Sequence, residues 1–345
     1  MKISHIQVLL LALGSFVLVG AITPWMRKLA IKHDVMDSPV HSHKTHKEPV
    51  PYLGGLGIII GVFVISFGAL IVKGSESKNY WLALTVLGPA LILGAIGLWD
   101  DIKNLPPLPR FIAQTVAGLF TSALLIASST VGTPTGSKVL DAVITTIWIV
   151  GICNSVNFFD NLDGGAAGTI AISSIALTKI AIDGGQYLVG GLAAVTAGAT
   201  LGFLLWNKSP ARIYMGDAGA LFLGILIASL TIRLHPDAQT EWTSLATPLL
   251  LLAVPILDTS VAVISRLRRK VSPFQGGRDH LSHRLIRAGL PRPTAAIVLW
   301  ILSGLFAGCA VLIPLIGKGS EELLAAIAGL AWLGLFSYFI RTADL

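Results

Sequence analysis

Four polar side chains recur at intervals of three in Gly151–Gly168 (GICNSVNFFDNLDGGAAG): Asn154, Asn157, Asp160 and Asp163. They follow directly on an apolar run that ends at Cys153. On a helix this spacing stacks the groups along one face, and Gly164 and Gly165 let the backbone approach whatever those groups hold. Two carboxylates and two amides at the mouth of a membrane segment are costly unless they bind something. A capped helix end followed by a polar loop would account for one Asp and one Asn, not for the set.

Other stretches carry related chemistry. LWDDIKNLPP places Asp100 and Asp101 side by side at the end of an apolar run; adjacent carboxylates call for a cation or a basic partner, although one of them could simply cap a helix. RIYMGDAGALFLG flanks Asp217 with Gly216 and Gly219 where another apolar run begins. That acid reads either as a residue stabilised by the helix dipole or as a metal ligand, with Tyr214 offering a ring on which a base could stack. Asp258 lies inside an apolar run, and acids there are functional or ion-paired; Arg266, two turns on, is the nearest cation in sequence.

Two longer polar segments complete the inventory. DVMDSPVHSHKTHKEPVPYLGGLG holds Asp37, three His (His41, His43 and His46), Lys44 and Lys47 ahead of Gly54 and Gly55. Irregular spacing disfavours a metal tract, and a cationic loop for phosphate fits better. SRLRRKVSPFQGGRDHLSHRLIRAGL puts His280, His283 and Arg284 on one helical face, a cluster suited to a diphosphate or lipid phosphate. As a zinc site it lacks the spacing and the third ligand.

The elements that must position these groups are membrane helices. Of 345 residues, 54% are hydrophobic and 12% charged, with a mean hydropathy of +0.77, against about 25% charged in a soluble domain. The expected fold is all-α and polytopic, with eleven apolar runs at 6–23, 53–72, 81–98, 111–130, 139–153, 165–182, 186–206, 218–232, 244–265, 294–315 and 322–340. Most approach the ~20 residues of a bilayer crossing; the run at 139–153 is short enough for a tilted or half-buried helix. The first run reads as an anchor, not a cleaved signal. Cys153 and Cys309, both within apolar runs, read as buried inert thiols.

With the N-terminus outside and the C-terminus inside, eighteen Lys and Arg fall on inside segments and six on outside ones. The positive-inside rule selects that orientation, so the formal charge of +7 reflects topology and not nucleic-acid binding. There is no internal repeat and no separate soluble domain. Residues 1–345 read as a single membrane-embedded domain, with the inside loops 24–52, 99–110, 154–164, 207–217 and 266–293 forming the active site. That one-sidedness argues against a channel or transporter, which would carry polar groups along its spans or on both sides.

Taken in order, these segments resemble the polyprenyl-phosphate N-acetylhexosamine-1-phosphate transferases (glycosyltransferase family 4). The match runs from Asp37 to Arg284: D-x-P…K-x-H…P-x-P-x-x-G-G, the Asp-Asp pair, N-x-x-D-x-x-D-G, M-G-D-x-G and H-x-x-H-R. The resemblance implies Asp217 and Asn157 at a Mg²⁺ ion, with Mn²⁺ as a substitute. It implies Asp100, Asp101, Asp160 and Asp163 as catalytic acids, and Lys44, His46, Asn157, Tyr214, His280, His283 and Arg284 as substrate-binding groups. Five departures stand out. His43 replaces an Arg, Asp37 lies one residue further from P-x-P, and Asn161 follows Asp160 where glycine is usual. Ala220 replaces Ser, and Ser282 takes the place of the middle His in H-x-H-H-R.

The implied reaction is attack by a polyprenyl (undecaprenyl) phosphate oxygen on the β-phosphorus of a UDP-amino sugar, expelling UMP. The lipid phosphate has a second pKa of about 6, so Asp100 or Asp101 would need little basicity to take its proton. The H-L-S-H-R-L and P-V-P-Y-L-G-G loops favour the UDP-GlcNAc branch over the UDP-MurNAc-pentapeptide branch. The site would face the cytosol from the cytoplasmic membrane, and a homodimer is compatible with the family. More remote alternatives are an intramembrane prenyltransferase, which needs two D-x-x-x-D motifs where Asn154–Asp163 imitates only one, and a lipid-linked sugar transporter, which would need no metal.

Overall fold

Each of the eleven apolar runs contributes a helix to the computed structural model, which describes residues 2–37, 49–103, 105–128, 135–234, 241–273 and 277–342. The helices are α1 (His5–Lys32), α2 (Gly54–Val72), α3 (Ser77–Lys103), α4 (Pro107–Ala127), α5 (Lys138–Phe159), α6 (Gly165–Asp183), α7 (Tyr187–Asn207) and α8 (Gly216–Ile232). They continue with α9 (Glu241–Leu251), α10 (Ala253–Arg268), α11 (Leu281–Arg287), α12 (Arg292–Leu312) and α13 (Ser320–Arg341). Local chemistry sets several starts. Ser4 and Gln7 form a reciprocal capping box ahead of α1, Ser137 caps α5, and proline stands in the first turn of α4 and α12.

Nine of these helices are long and apolar enough to cross a bilayer among the described residues, so the chain is a multi-pass, all-α membrane protein. Two of the eleven runs differ from plain spans. The run at 218–232 becomes α8, of 17 residues, enclosed by its neighbours and buried along nearly its whole length. The run at 244–265 is broken at Leu252 and bends by 74° between α9 and α10. Pro255 has no N–H for the carbonyl of Leu251, four residues earlier. Ser173 Oγ on α6 donates to that carbonyl instead at 2.6 Å, so the break is satisfied from outside the helix. Conversely, the short run at 139–153 extends through Asn157 to Phe159 as a 22-residue helix, long enough to cross.

Among the nine long spans α6 and α7 are the most enclosed, with 78% of their apolar windows buried against 17% for α1 and α13. α1 lies tightly on α7 at Gly198, where a Cβ would stand 2.0 Å from the Ala12 carbonyl oxygen. Cys153 and Cys309 are both free thiols. Before α2, Met36–Asp37 (β1) pairs antiparallel with Val50–Pro51 (β2). The alternation of long helices brings the ends of α3, α5 and α7 and the starts of α2, α4, α6 and α8 to one end of the bundle.

Candidate active site

Asp217 is the meeting point. It opens α8, and its Oδ1 accepts from Asn157 Nδ2 of α5 at 2.7 Å. Its Oδ2 accepts from Arg110 Nη1 of α4 at 2.5 Å. The same Arg110 nitrogen lies 2.6 Å from Asp100 Oδ2 at the end of α3, while Asp100 Oδ1 accepts from the Leu105 amide at 2.6 Å. A guanidinium thus stands between two carboxylates, as like charges at this distance require. In the sequence Arg110 is one of the eighteen inside charges and nothing more. Its i, i+10 separation from Asp100 lies beyond any helical pattern, and the Pro-Pro turn after α3 folds it back.

Asp101 does different work from its neighbour. Its Oδ1 accepts from the Asp217 amide at 2.7 Å and its Oδ2 from the Ala218 amide at 3.1 Å, so it caps α8 from another helix. Gly216 has φ +68°, and a Cβ there would lie 2.4 Å from Asp101 Oδ2. With both oxygens occupied, Asp101 holds Asp217 in place. Replacing Asp101 by Ala should lower the thermal midpoint in detergent, at a cost of about 1–2 kcal/mol; Asn, which keeps one acceptor, should lose less.

The glycine pair of the first inside loop is also architectural. The Gly54 and Gly55 amides donate to the Tyr214 and Met215 carbonyls at 3.0 and 2.9 Å, and the Tyr214 amide donates to Pro51. At Gly55 a Cβ would stand 2.2 Å from the Gly219 nitrogen. The P-x-P-x-x-G-G and M-G-D-x-G segments are therefore two halves of one backbone contact. It sets the Tyr52 and Tyr214 rings 6.3 Å apart, and the Tyr214 hydroxyl reaches Asp163 Oδ1 at 3.5 Å. Burial, and next the Asp163 carboxylate, push the Tyr214 hydroxyl above its ordinary pKa.

The four-residue stripe is only partly a helix face, because α5 stops at Phe159. Asn154 turns back onto the Val150 carbonyl at 2.8 Å, whereas Asn157 reaches Asp217. Asp163 accepts from the Ala211 amide at 3.1 Å and shapes the 207–215 loop. Asn207 ties the same turn down, accepting from the Gly164 amide and donating to the Ile213 carbonyl, both at 3.0 Å. The Asp160 carboxylate has no hydrogen-bond partner among the described residues. Burial, then the Asp217 and Asp163 charges, raise its pKa to about 7.

The His-rich loop is built on Asp258. This buried acid accepts from the Leu281 amide and from His280 Nδ1, each at 2.7 Å. Arg266 Nη2, which can only donate, lies 3.1 Å from His280 Nε2; His280 therefore carries its proton on Nδ1. Arg266 does not pair with Asp258 as their spacing suggests, but with Asp279 at 3.1 Å. Arg284 commits its guanidinium to the Asp279 carbonyl (2.8 Å), the Phe339 carbonyl (2.5 Å) and Ser265 Oγ (2.7 Å). Within the expected phosphate trio, His283 alone has no hydrogen bond among the described residues. Burial, then His280, lower its pKa to about 4, which leaves it neutral near pH 7.

Two departures from the family pattern prove to be partners. Ser282 Oγ donates to the Asn161 side-chain oxygen and clasps the His-rich loop to the turn after α5. Asn161→Gly and Ser282→His should each lower activity, and the double variant should recover part of the loss. A double-mutant cycle on turnover should show a coupling of roughly 1 kcal/mol. Lys44 and His46 lie outside the described residues.

These elements define a multi-pass membrane protein with a built polar site, rich in carboxylates, at one end of its helical bundle. Residues 81–235 match the model of glycosyl transferase family 4, a span that includes Asp100, Asp101, Arg110, Asn157, Asp160, Asp163 and Asp217. The chain is 30% identical over 340 residues to a probable undecaprenyl-phosphate N-acetylglucosaminyl 1-phosphate transferase of Bacillus subtilis, covering 97% of this chain and 89% of that one. It is 30% identical to a decaprenyl-phosphate N-acetylglucosaminephosphotransferase of Mycolicibacterium smegmatis, over 93% of this chain and 86% of that one. A phospho-N-acetylmuramoyl-pentapeptide-transferase of Streptococcus uberis is 31% identical, over 74% and 79% respectively. The chain belongs to glycosyl transferase family 4.

Proposed function

We propose that this protein transfers N-acetylglucosamine 1-phosphate from UDP-GlcNAc to undecaprenyl phosphate. A lipid-phosphate oxygen forms a bond to the β-phosphorus, and the bond from that phosphorus to the bridging oxygen breaks, releasing UMP. The observation that carries this reading is the Asp217 junction, where Asn157, Arg110 and Asp100 converge on one carboxylate at the end of the bundle that bears the basic loops. With the positive-inside rule, that end faces the cytosol, where UDP-sugars are supplied.

Among the described residues no three His, Cys, Asp or Glu side chains converge as a metal cage. Mg²⁺ does not need one, since it is commonly held by one or two carboxylates together with substrate phosphates and water. Asp217 and the side-chain oxygen of Asn157, which has no partner among the described residues, would hold it. When bound, Mg²⁺ would neutralise charge on the transferring diphosphate.

The chain's own groups do the rest. Arg110 keeps Asp100 and Asp217 together and can fork onto phosphate. Tyr52 and Tyr214 offer rings to the uracil, and the Lys44 and His46 loop supplies cations. His283 contributes a neutral imidazole, while His280 and Arg284 keep its helix in register. Asp101 gives both oxygens to the α8 cap and Asp100 pairs with Arg110; Asp160, whose carboxylate has no hydrogen-bond partner among the described residues, is the group assigned to take a proton from the lipid phosphate.

That role has a pH signature. Asp160 is protonated below about pH 7 and accepts a proton only above it. Turnover should therefore rise through an acidic limb near pH 7, and this limb should be absent from the residual activity of Asp160→Asn. Bound Mg²⁺ favours the carboxylate, so the limb should move to lower pH as the metal concentration is raised.

The direct test is label transfer in detergent, with purified protein, undecaprenyl phosphate, Mg²⁺ and labelled UDP-GlcNAc. Label entering the lipid phase with UMP release, stopped by EDTA, supports the proposal. Transfer only from UDP-MurNAc-pentapeptide, the reading favoured by the Streptococcus uberis relative, would reassign the sugar. Transfer from neither would overturn it.

A further inference from the structure

We propose that the end of the bundle remote from Asp217 holds a second, non-catalytic lipid site, taking one acyl chain of an anionic glycerophospholipid with its phosphate on Lys73. A cavity of about 350 Å³ lies there between α1, α2, α3 and α7. Its wall follows α7 from Tyr187 to Val195, roughly 12 Å along the helix axis. α7 is 21 residues long, so the cavity mouth and the catalytic end stand roughly 30 Å apart.

The space follows from how the helices pack. α1 and α7 touch closely at Gly198, then diverge toward the start of α7. A Cβ on Gly191 would meet nothing nearer than Ile3 Cδ1 at 3.6 Å. The wedge between them is lined mainly by aliphatic side chains and by no acid. An empty apolar space forfeits dispersion contacts along its walls, and a bilayer supplies hydrocarbon chains to fill it.

Two polar features decide the kind of lipid. Ser66 lines the cavity and is 6% exposed, and its buried Oγ has no hydrogen-bond partner among the described residues, so the wall carries one hydroxyl that no internal partner uses. Lys73 closes α2 at the rim, where its ammonium donates to the Lys2 carbonyl and keeps two further N–H groups for a phosphate. The site thus fits an anionic head above a single chain.

Native mass spectrometry of delipidated protein tests the proposal without reference to turnover. Phosphatidylglycerol, phosphatidylcholine and undecaprenyl phosphate would be titrated in turn. One tightly held phosphatidylglycerol per chain is expected, weakened about fivefold in Lys73→Ala and lost when Gly191→Leu fills the cavity. Label transfer should be unchanged in both variants at fixed lipid. If Gly191→Leu fails to fold, Ser66→Leu fills the same space from α2. Equal retention of phosphatidylcholine, retention unaffected by the filling variants, or a preference for undecaprenyl phosphate abolished by them would each overturn the assignment.

Discussion

Asp217→Ala should lower transferase activity by at least about a thousandfold while leaving the protein folded. The activity would fall because the carboxylate joining Asn157 and Arg110 disappears, and with it the metal ligand proposed here. The fold would survive because Asp101 caps α8 through the backbone amides of residues 217 and 218, which alanine retains. Arg110 would keep its pair with Asp100, so no buried charge is orphaned. Label transfer at saturating Mg²⁺, beside a thermal melt in detergent, checks both halves. Activity within tenfold of wild type would remove Asp217 from the mechanism, whereas a collapsed melt would show that its role is structural.

Gly55→Ala should be nearly as damaging although Gly55 touches no proposed substrate. A methyl group there would lie 2.2 Å from the Gly219 nitrogen and 2.5 Å from the Met215 carbonyl. Both atoms are backbone, so no side-chain rotation relieves the clash, and α2 must move away from α8. Overpacking of this kind costs typically 1–3 kcal/mol, and the displaced turn carries Tyr214 and Asp217. A loss of about a hundredfold in turnover is expected, because small displacements of positioning groups cost that much, together with a lower melting midpoint. Gly68→Ala on the same helix, where a Cβ meets nothing within 4 Å, serves as the control and should retain full activity.

Much of this was legible from residue types alone. Low charge and eleven apolar runs specified a helical membrane protein, since in lipid the backbone must satisfy its own hydrogen bonds. Asn157 and Asp217 stood out because polar groups at the mouths of spans need a reason to be there. The three-residue spacing from Asn154 to Asp163 continues past the end of α5 at Phe159 and so does not mean a shared face. Nothing local distinguishes Arg110 from the other inside charges.

Residue types and hydropathy alone say that the chain lives in a bilayer, that its chemistry is gathered in loops on one side, and which acids and amides are candidates. Their division of labour comes from the packing of the helices. Asp100 pairs with Arg110 while Asp101 caps a helix; Arg284 anchors the loop that presents His283; Asn161 and Ser282, 121 residues apart, offset each other's departure from the family pattern. Hydropathy and periodicity are properties of neighbouring residues. A hydrogen bond between the ends of two spans depends on how those spans pack, and no local pattern records that.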